Sequence, residues 1–164
     1  MGERLSFLHN LTGDQETAQD IWKNILSDIQ HAGREDILQN PTVLDLGGGM
    51  GEFSKNLNTK GIHCISLDAQ DLDVDPSANP VRGNAHQMPF ADGSFSIVHA
   101  RGAFDGILYH HDFAKLIAEV ARVLKTGGIL SVHDCDQPPK EEIEKYFRLL
   151  SKAEKEYSTL WEKK

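Results

Sequence analysis

The run Val43-Leu44-Asp45-Leu46-Gly47-Gly48-Gly49-Met50-Gly51-Glu52-Phe53 limits what this 164-residue chain can fold into more than any other stretch. Val43 to Leu46 is a short apolar run of the kind that forms a parallel strand buried on both faces. Pro41 stands just before it, and four glycines fall within the five positions that follow. Glu52 and Phe53 then open a segment that suits a helix. Strand, glycine turn and helix make the first half of a βα unit. Such a turn lets a polar or anionic ligand lie against bare backbone near a helix N-terminus, where N–H groups are unpaired and the dipole is positive.

Known turn patterns narrow the choice. G-x-G-x-x-G would need a glycine where Glu52 stands, and the phosphate-cradling G-x-x-x-x-G-K-[ST] fails because no Gly-Lys pair follows. Asp-x-Gly-x-Gly-x-Gly is filled, by Asp45, Gly47, Gly49 and Gly51. This resembles the first motif of class I S-adenosylmethionine-dependent methyltransferases, of the ubiquinone/menaquinone-biosynthesis type. The alternative is a glycine-rich turn that holds no ligand.

Further stretches resemble the same family, in the same order. Gly83-Asn84-Ala85-His86-Gln87-Met88-Pro89-Phe90-Ala91-Asp92-Gly93-Ser94-Phe95-Ser96-Ile97-Val98 is similar to its Gly-Asp-Ala…Leu-Pro-Phe…Asp-x-Ser-Phe-Asp-x-Val stretch. His110-His111 corresponds to its Leu-His-His. Ile117 to Gly128 is similar to its Glu-x-x-Arg-Val-Leu-Lys-Pro-Gly-Gly, with Thr126 in the proline position. The resemblance covers about residues 43–135.

Asp68 ends the apolar run Ile62–Leu67, 17 positions beyond Gly51. A carboxylate at the tip of a second strand can accept hydrogen bonds from both hydroxyls of a ribose, as in dinucleotide sites. Asp71 and Asp73 lie near enough to compete for that role. The resemblance implies S-adenosyl-L-methionine as cofactor, held by Asp45, Gly47, Gly48, Gly49, Gly51, Asp68, Ala69, Asn84, Ala85 and Ala100. It gives Asn84 and Ala85 the adenine edge, with Asn84 where aspartate is commoner, and sets Ala100 and Arg101 over the methionine half. Family members that methylate nucleic acid bases or glutamine carry Asn-Pro-Pro-Tyr where this chain has His99-Ala100-Arg101-Gly102, which argues against those substrates. No catalytic residue is assigned. His110 and His111 are either loop or cap histidines or, for one of them, a general base. No spacing meets a zinc-site pattern.

Apolar patterning supplies the remaining elements. Ala18, Ile21, Trp22, Ile25 and Ile29 make a helical stripe within residues 14–39, with Thr12 or Asp14 placed to cap it and Gly33 to break it. In the resembling family such a helix often lids the cofactor. Strands are expected at Ile62–Leu67, Pro80–Arg82, Phe95–Ala100 and Ile129–His133. Phe113, Leu116, Ile117, Val120, Val123 and Leu124 form a helical stripe that Lys125-Thr126-Gly127-Gly128 would terminate.

After Cys135 the chain departs from the family pattern. Ile143, Tyr146, Phe147, Leu150, Ala153, Tyr157, Leu160 and Trp161 fall on one helical stripe, so residues 138–162 read as a helix. The usual C-terminal strand hairpin is then missing. The expected fold is a single α/β domain over residues 1–164: N-terminal helices in 1–40, a cofactor-binding core in 41–135, then that helix. Its doubly wound sheet has five mostly parallel strands in the order 3-2-1-4-5. The open edge of strand five needs cover from the helix, a homodimer or a partner subunit.

Composition removes other classes. A formal net charge of −8 disfavours grip on nucleic acid by phosphate neutralisation. No apolar run approaches the roughly 20 residues of a membrane span, and no secretory segment follows Met1. Myristoylation at Gly2 and glycosylation at Asn10 are pattern matches without supporting context. Cys64 and Cys135 read as reduced core thiols of a cytoplasmic protein. The chain therefore reads as a methyltransferase acting on a small molecule. The rivals are a catalytically silent cofactor-binding subunit and, on a weaker footing, an NAD-dependent oxidoreductase.

Overall fold

The apolar run before the glycine turn forms the strand β1 (Thr42–Leu46), and every residue from Val43 to Leu46 is buried. The computed structural model describes residues 17–104, 112–133, 139–152 and 158–164. Around β1 the elements follow in order: α1 (Ala18–His31), a 3-10 turn (Glu35–Leu38), β1, α2 (Glu52–Thr59), β2 (His63–Asp68), a 3-10 turn (Pro76–Ala78) and β3 (Pro80–Arg82). Then come β4 (Phe95–Arg101), α3 (Phe113–Val123), β5 (Leu124–His133), α4 (Lys140–Glu144), β6 (Phe147–Lys152) and β7 (Ser158–Lys163).

The sheet runs β3-β2-β1-β4-β5-β7-β6. Its first five strands are parallel, and β7 pairs antiparallel with both β5 and β6. The expected five-strand order holds within it, but the five-strand count and the C-terminal helix are corrected. Residues 147–152 and 158–163 form the hairpin that the sequence reading lacks, and among the described residues of that region only Lys140–Glu144 is helical. Leu160, Thr159 and Ser158 pair with Ser131, Val132 and His133, so the edge of β5 is covered from within the chain. That removes the reason for invoking a homodimer or partner subunit there.

Alternation along the strands makes two apolar layers. Leu44, Leu46, Val98, Leu130 and Val132 face α3, whose Phe113, Leu116, Ile117 and Val120 are buried against them. Val43, Cys64, Ile97 and Ile129 face α1 and α2, meeting Trp22, Ile25, Ile29 and Leu57. Burying one such side chain contributes roughly 1.5–3 kcal/mol, so the α1 stripe alone fixes that helix on the sheet.

Thr17, not Thr12 or Asp14, caps α1, because its hydroxyl accepts from Asp20 N and the Asp20 carboxylate accepts from Thr17 N. Gly33 ends the helix at φ +67°. α3 stops at Val123, and Leu124 already belongs to β5, five residues earlier than expected. Among the described residues no helix is long and apolar enough to cross a membrane. His110, His111, Cys135, Thr12, Asp14 and the N-terminal modification patterns lie outside the described residues.

Candidate active site

The turn after β1 is pinned by backbone. Gly47 N and Gly48 N both donate to the Leu67 carbonyl, over 2.8 Å and 3.2 Å, joining the tips of β1 and β2. A Cβ on Gly48 would stand 2.2 Å from Ser66 Oγ and 2.7 Å from Asp45 Oδ2, so only hydrogen fits there. Gly51, at φ +75°, starts α2, and a Cβ on it would meet Ala78 Cβ at 2.6 Å. Both positions exclude side chains and leave the backbone bare at the mouth of α2.

Asp68 closes one side of the turn. Its Oδ2 accepts from Gly49 N over 3.0 Å, and its Oδ1 accepts from Gln70 N over 2.9 Å. A cavity of about 200 Å³ opens here, lined by Gly49, Ser66, Asp68, Gln70, Val81 and Arg82 among others. The rival Asp71 lines it too, but pairs with Arg82 at 3.1 Å on the exposed rim. Asp73 does not line it.

On the other side lies a cavity of about 560 Å³, walled by Asp45, Gly47, Gly48, Phe53, His99 and Arg101 and roofed by the start of α1 at Thr17, Ala18 and Ile21. Asp45 and His99 in its wall belong to a polar row across the sheet. Ser66, Asp45, His99 and Ser131 sit in register across β2, β1, β4 and β5, each buried. All four occupy the face toward α1 and α2, next to the apolar Cys64, Val43, Ile97 and Ile129 of the same strands.

Electrostatics divide the row. Burial pushes the Asp45 carboxyl up to about 6, the nearby Asp68 charge adds to it, and a hydrogen bond from Ser54 Oγ at 3.0 Å opposes it. Burial pushes His99 down to about 3, and the charges of His133 and Arg101 add to that. At neutral pH Asp45 is an anion and His99 a neutral imidazole. His99 Nδ1 lies 3.3 Å from Ser131 Oγ, the Phe53 ring packs 4.7 Å from its centre, and Nε2 has no hydrogen-bond partner among the described residues. Cys64 behaves as a core thiol, buried, free and pushed up to about 12.

The structure thus brings Asp45, Gly47, Gly48, Gly49 and Asp68 to the two cavities. Gly51 shapes the turn from behind. Asn84, Ala85, Ala69 and Ala100 line neither cavity. Ala100 packs in the layer facing α3, and Asn84 Oδ1 accepts from His86 N over 2.8 Å in a turn of its own. His99 and Phe53 were not picked out from sequence as site residues. The signal was present for His99, an ionisable residue at an inward position of a largely apolar strand.

The comparisons with known proteins agree with this geometry. A family model described as a methyltransferase domain matches residues 44–132, more than half of the chain. Demethylmenaquinone methyltransferase of Corynebacterium glutamicum is 33% identical over 109 residues, covering 64% of this chain and 46% of that protein. Dimethylglycine N-methyltransferase of Parasynechococcus marenigrum is 32% identical over 125 residues, covering 68% of this chain and 42% of that protein. The chain spans a little under half the length of these two relatives. A TehB-like SAM-dependent methyltransferase structure from Corynebacterium glutamicum superposes with a TM-score of 0.65, covering 89% of this chain and 96% of that one, at 15% identity. At that identity the likeness is one of fold. With the matched segment running from the glycine turn through β5, the chain belongs to the methyltransferase domain family.

Proposed function

We propose that this chain binds S-adenosyl-L-methionine across the glycine turn and directs its methyl group to a small-molecule acceptor in the cytosol. The observation that carries the reading is the pairing of Asp68 with Gly49: a carboxylate stands beside a turn in which Gly48 and Gly51 have no room for a side chain. Asp68 keeps lone pairs on both oxygens for the two ribose hydroxyls. The Gly47–Gly51 backbone accommodates the ligand at the start of α2. The anionic Asp45 in the larger cavity suits a cationic group, and Asn84 and Ala85 hold the adenine edge, with Ala69 beside the ligand; Ala100, buried toward α3, supports the tip of β4 from behind.

Held by the Gly47–Gly51 backbone and Asp68, S-adenosyl-L-methionine would supply a methyl carbon already activated by its sulfonium. The chain's own task is to place the acceptor in line and keep water out. Positioning of that kind can account for up to roughly 7–11 kcal/mol of a barrier. Phe53 and Ile21 give the larger cavity apolar walls, and the start of α1 covers it. The relatives' names specify demethylmenaquinone for one and dimethylglycine for the other, both small molecules, which supports the acceptor class.

Calorimetric titration with S-adenosylmethionine, S-adenosylhomocysteine and NAD tests the proposal. Binding of the two sulfur compounds and not of NAD is the expected result, and no binding of either overturns it. Trapping a methylated product from a metabolite pool then identifies the acceptor.

A further inference from the structure

We infer that His99 positions the amino-acid end of the bound cofactor, its Nε2–H donating to the carboxylate while Asp45 on the neighbouring strand takes the ammonium. The inference rests on the cofactor reading above and adds a residue to it.

His99 is 1% exposed, and its Nε2 is left without a hydrogen-bond partner among the described residues. Buried polar atoms are nearly always satisfied, and leaving one bare costs about 1–3 kcal/mol. A fold that keeps such an atom at the wall of a ligand-sized cavity is arranged to satisfy it with a ligand. The neighbouring group narrows which ligand. Asp45 pairs directly with His99 across β1 and β4 and lines the same cavity. Adjacent strands lie about 4.8 Å apart, so an acceptor of cations and a donor to anions stand side by side at about the span of an α-amino acid head.

Ser131 stands where its hydroxyl can set the proton. It occupies the register position beside His99 on β5, with Oγ 3.3 Å from Nδ1. A hydroxyl donated to Nδ1 leaves the ring's own N–H on Nε2, facing the ligand. Phe53, packed 4.7 Å away, restrains the ring plane. Burial keeps the imidazole neutral, so it offers a directed donor without attracting stray anions. Of the two facing residues only Asp45 carries a charge, for the cation at the ligand's amino group; Arg101 and Glu52, of opposite sign, line the same cavity.

Three probes on the intact protein test this: S-adenosylhomocysteine, its decarboxylated analogue, and 5′-methylthioadenosine, which lacks the whole amino-acid end. His99→Phe is expected to lower affinity for S-adenosylhomocysteine about tenfold, the scale of one hydrogen bond to a charged group. Affinity for the other two should stay within about twofold by the same reasoning. His99→Gln, which returns an amide donor near the place of Nε2, should recover most of the loss. If His99→Phe does not fold, Ser131→Ala gives the same probe-selective loss in weaker form. Equal losses for all three probes, or none, overturn the assignment while leaving cofactor binding intact. A wild-type protein that binds none of them overturns the cofactor reading and this assignment together.

Discussion

The amide of Gly49 donates to Asp68 Oδ2 over 3.0 Å, so the turn leaving β1 is fastened to the carboxylate that ends β2. One side chain therefore shapes the turn and faces the smaller cavity. The second oxygen accepts from Gln70 N, which fixes the rotation of the carboxylate. Nothing flexible stands between the turn and the group assigned to the ribose.

Asp68→Ala is expected to weaken S-adenosylhomocysteine binding at least tenfold, since hydrogen bonds to a charged group are each worth about 1.5–3 kcal/mol. Asp71→Ala, which removes a carboxylate already paired with Arg82 on the exposed rim, should change it by less than about threefold, in line with exposed ion pairs. Titration calorimetry reads both. Reversal of the two results would transfer the ribose role to Asp71.

Asp45 and His99 make opposed contributions to stability over the same pH range. The Asp45 carboxyl is raised from 3.8 to about 6, so between those values the folded chain keeps a proton that the unfolded chain releases. Stability from Asp45 falls as pH rises through that window. His99 is lowered from 6.5 to about 3, so the unfolded chain holds the extra proton and stability rises with pH. Each slope approaches about 1.4 kcal/mol per pH unit. Asp45→Asn should therefore gain on the wild type as pH rises from about 4 to 6, and His99→Phe should lose ground. Urea unfolding across that range measures both differences, and curves parallel to wild type would contradict the burial of the pair.

Why the parallel core was legible and the hairpin was not comes down to how each is selected. β1, β2 and β4 follow Pro41, Gly61 and Gly93, and most of their residues are buried, so each stands out as a bounded apolar run; β3, exposed at Pro80 and Arg82, is marked by its proline alone. The Glu119-x-x-Arg122 pattern could be matched without knowing what it bonds. Residues 147–163 carry Arg, Leu, Lys, Glu and Ala, whose local preference is helical, and their apolar residues fall at helical intervals. What makes Phe147–Lys152 and Ser158–Lys163 strands is the open edge of β5, a tertiary cause that local periodicity does not encode. In β7, Thr159, Leu160 and Trp161 are buried in succession, with Trp161 facing the α3 layer and Leu160 the α1 layer. Such a short run cannot be told from a helical segment by spacing. The same blindness hid His99, whose meaning depends on Asp45 and Ser131 standing beside it across the sheet.

The hairpin's outer end is held by Glu162, which accepts from Arg34 and Arg148 at once. Arg34 also donates to the Gly127 carbonyl over 3.0 Å, linking the segment after α1 to the start of β5. Both Arg34 and Glu162 are largely shielded, with side chains 18% and 14% exposed. Glu162→Ala leaves that guanidinium short of a partner and is expected to cost about 1–3 kcal/mol in urea unfolding. Amide exchange at Leu160 and Trp161 should quicken more than at Leu44. Unchanged exchange would mean that pairing with β5 alone holds β7.

Arg122 is expected to affect ligand binding although it lines neither cavity. From α3 its Nη1 donates to the Phe90 carbonyl and Asp92 Oδ1, each at 2.8 Å, and its Nη2 donates to the Met88 carbonyl at 3.1 Å. Glu119 completes the clamp, accepting from Arg122 Nε at 2.8 Å and from Met88 N at 2.7 Å. Those bonds raise the guanidinium's proton affinity and hold the Glu119 carboxyl below its usual range, so the pair stays charged. The clamp fixes Met88 to Asp92, in the loop that also carries Asn84 and Ala85. Arg122→Met keeps the aliphatic stem but leaves two carbonyls unpaired, at a cost of about 1–3 kcal/mol in stability. Loosening of the loop should weaken S-adenosylhomocysteine binding several-fold. Arg122→Lys should restore only part of it, because a single ammonium cannot span bonds made by a planar fork. Calorimetry beside thermal melting separates the two effects: a lower melting temperature with unchanged affinity would free the adenine edge from any dependence on this loop.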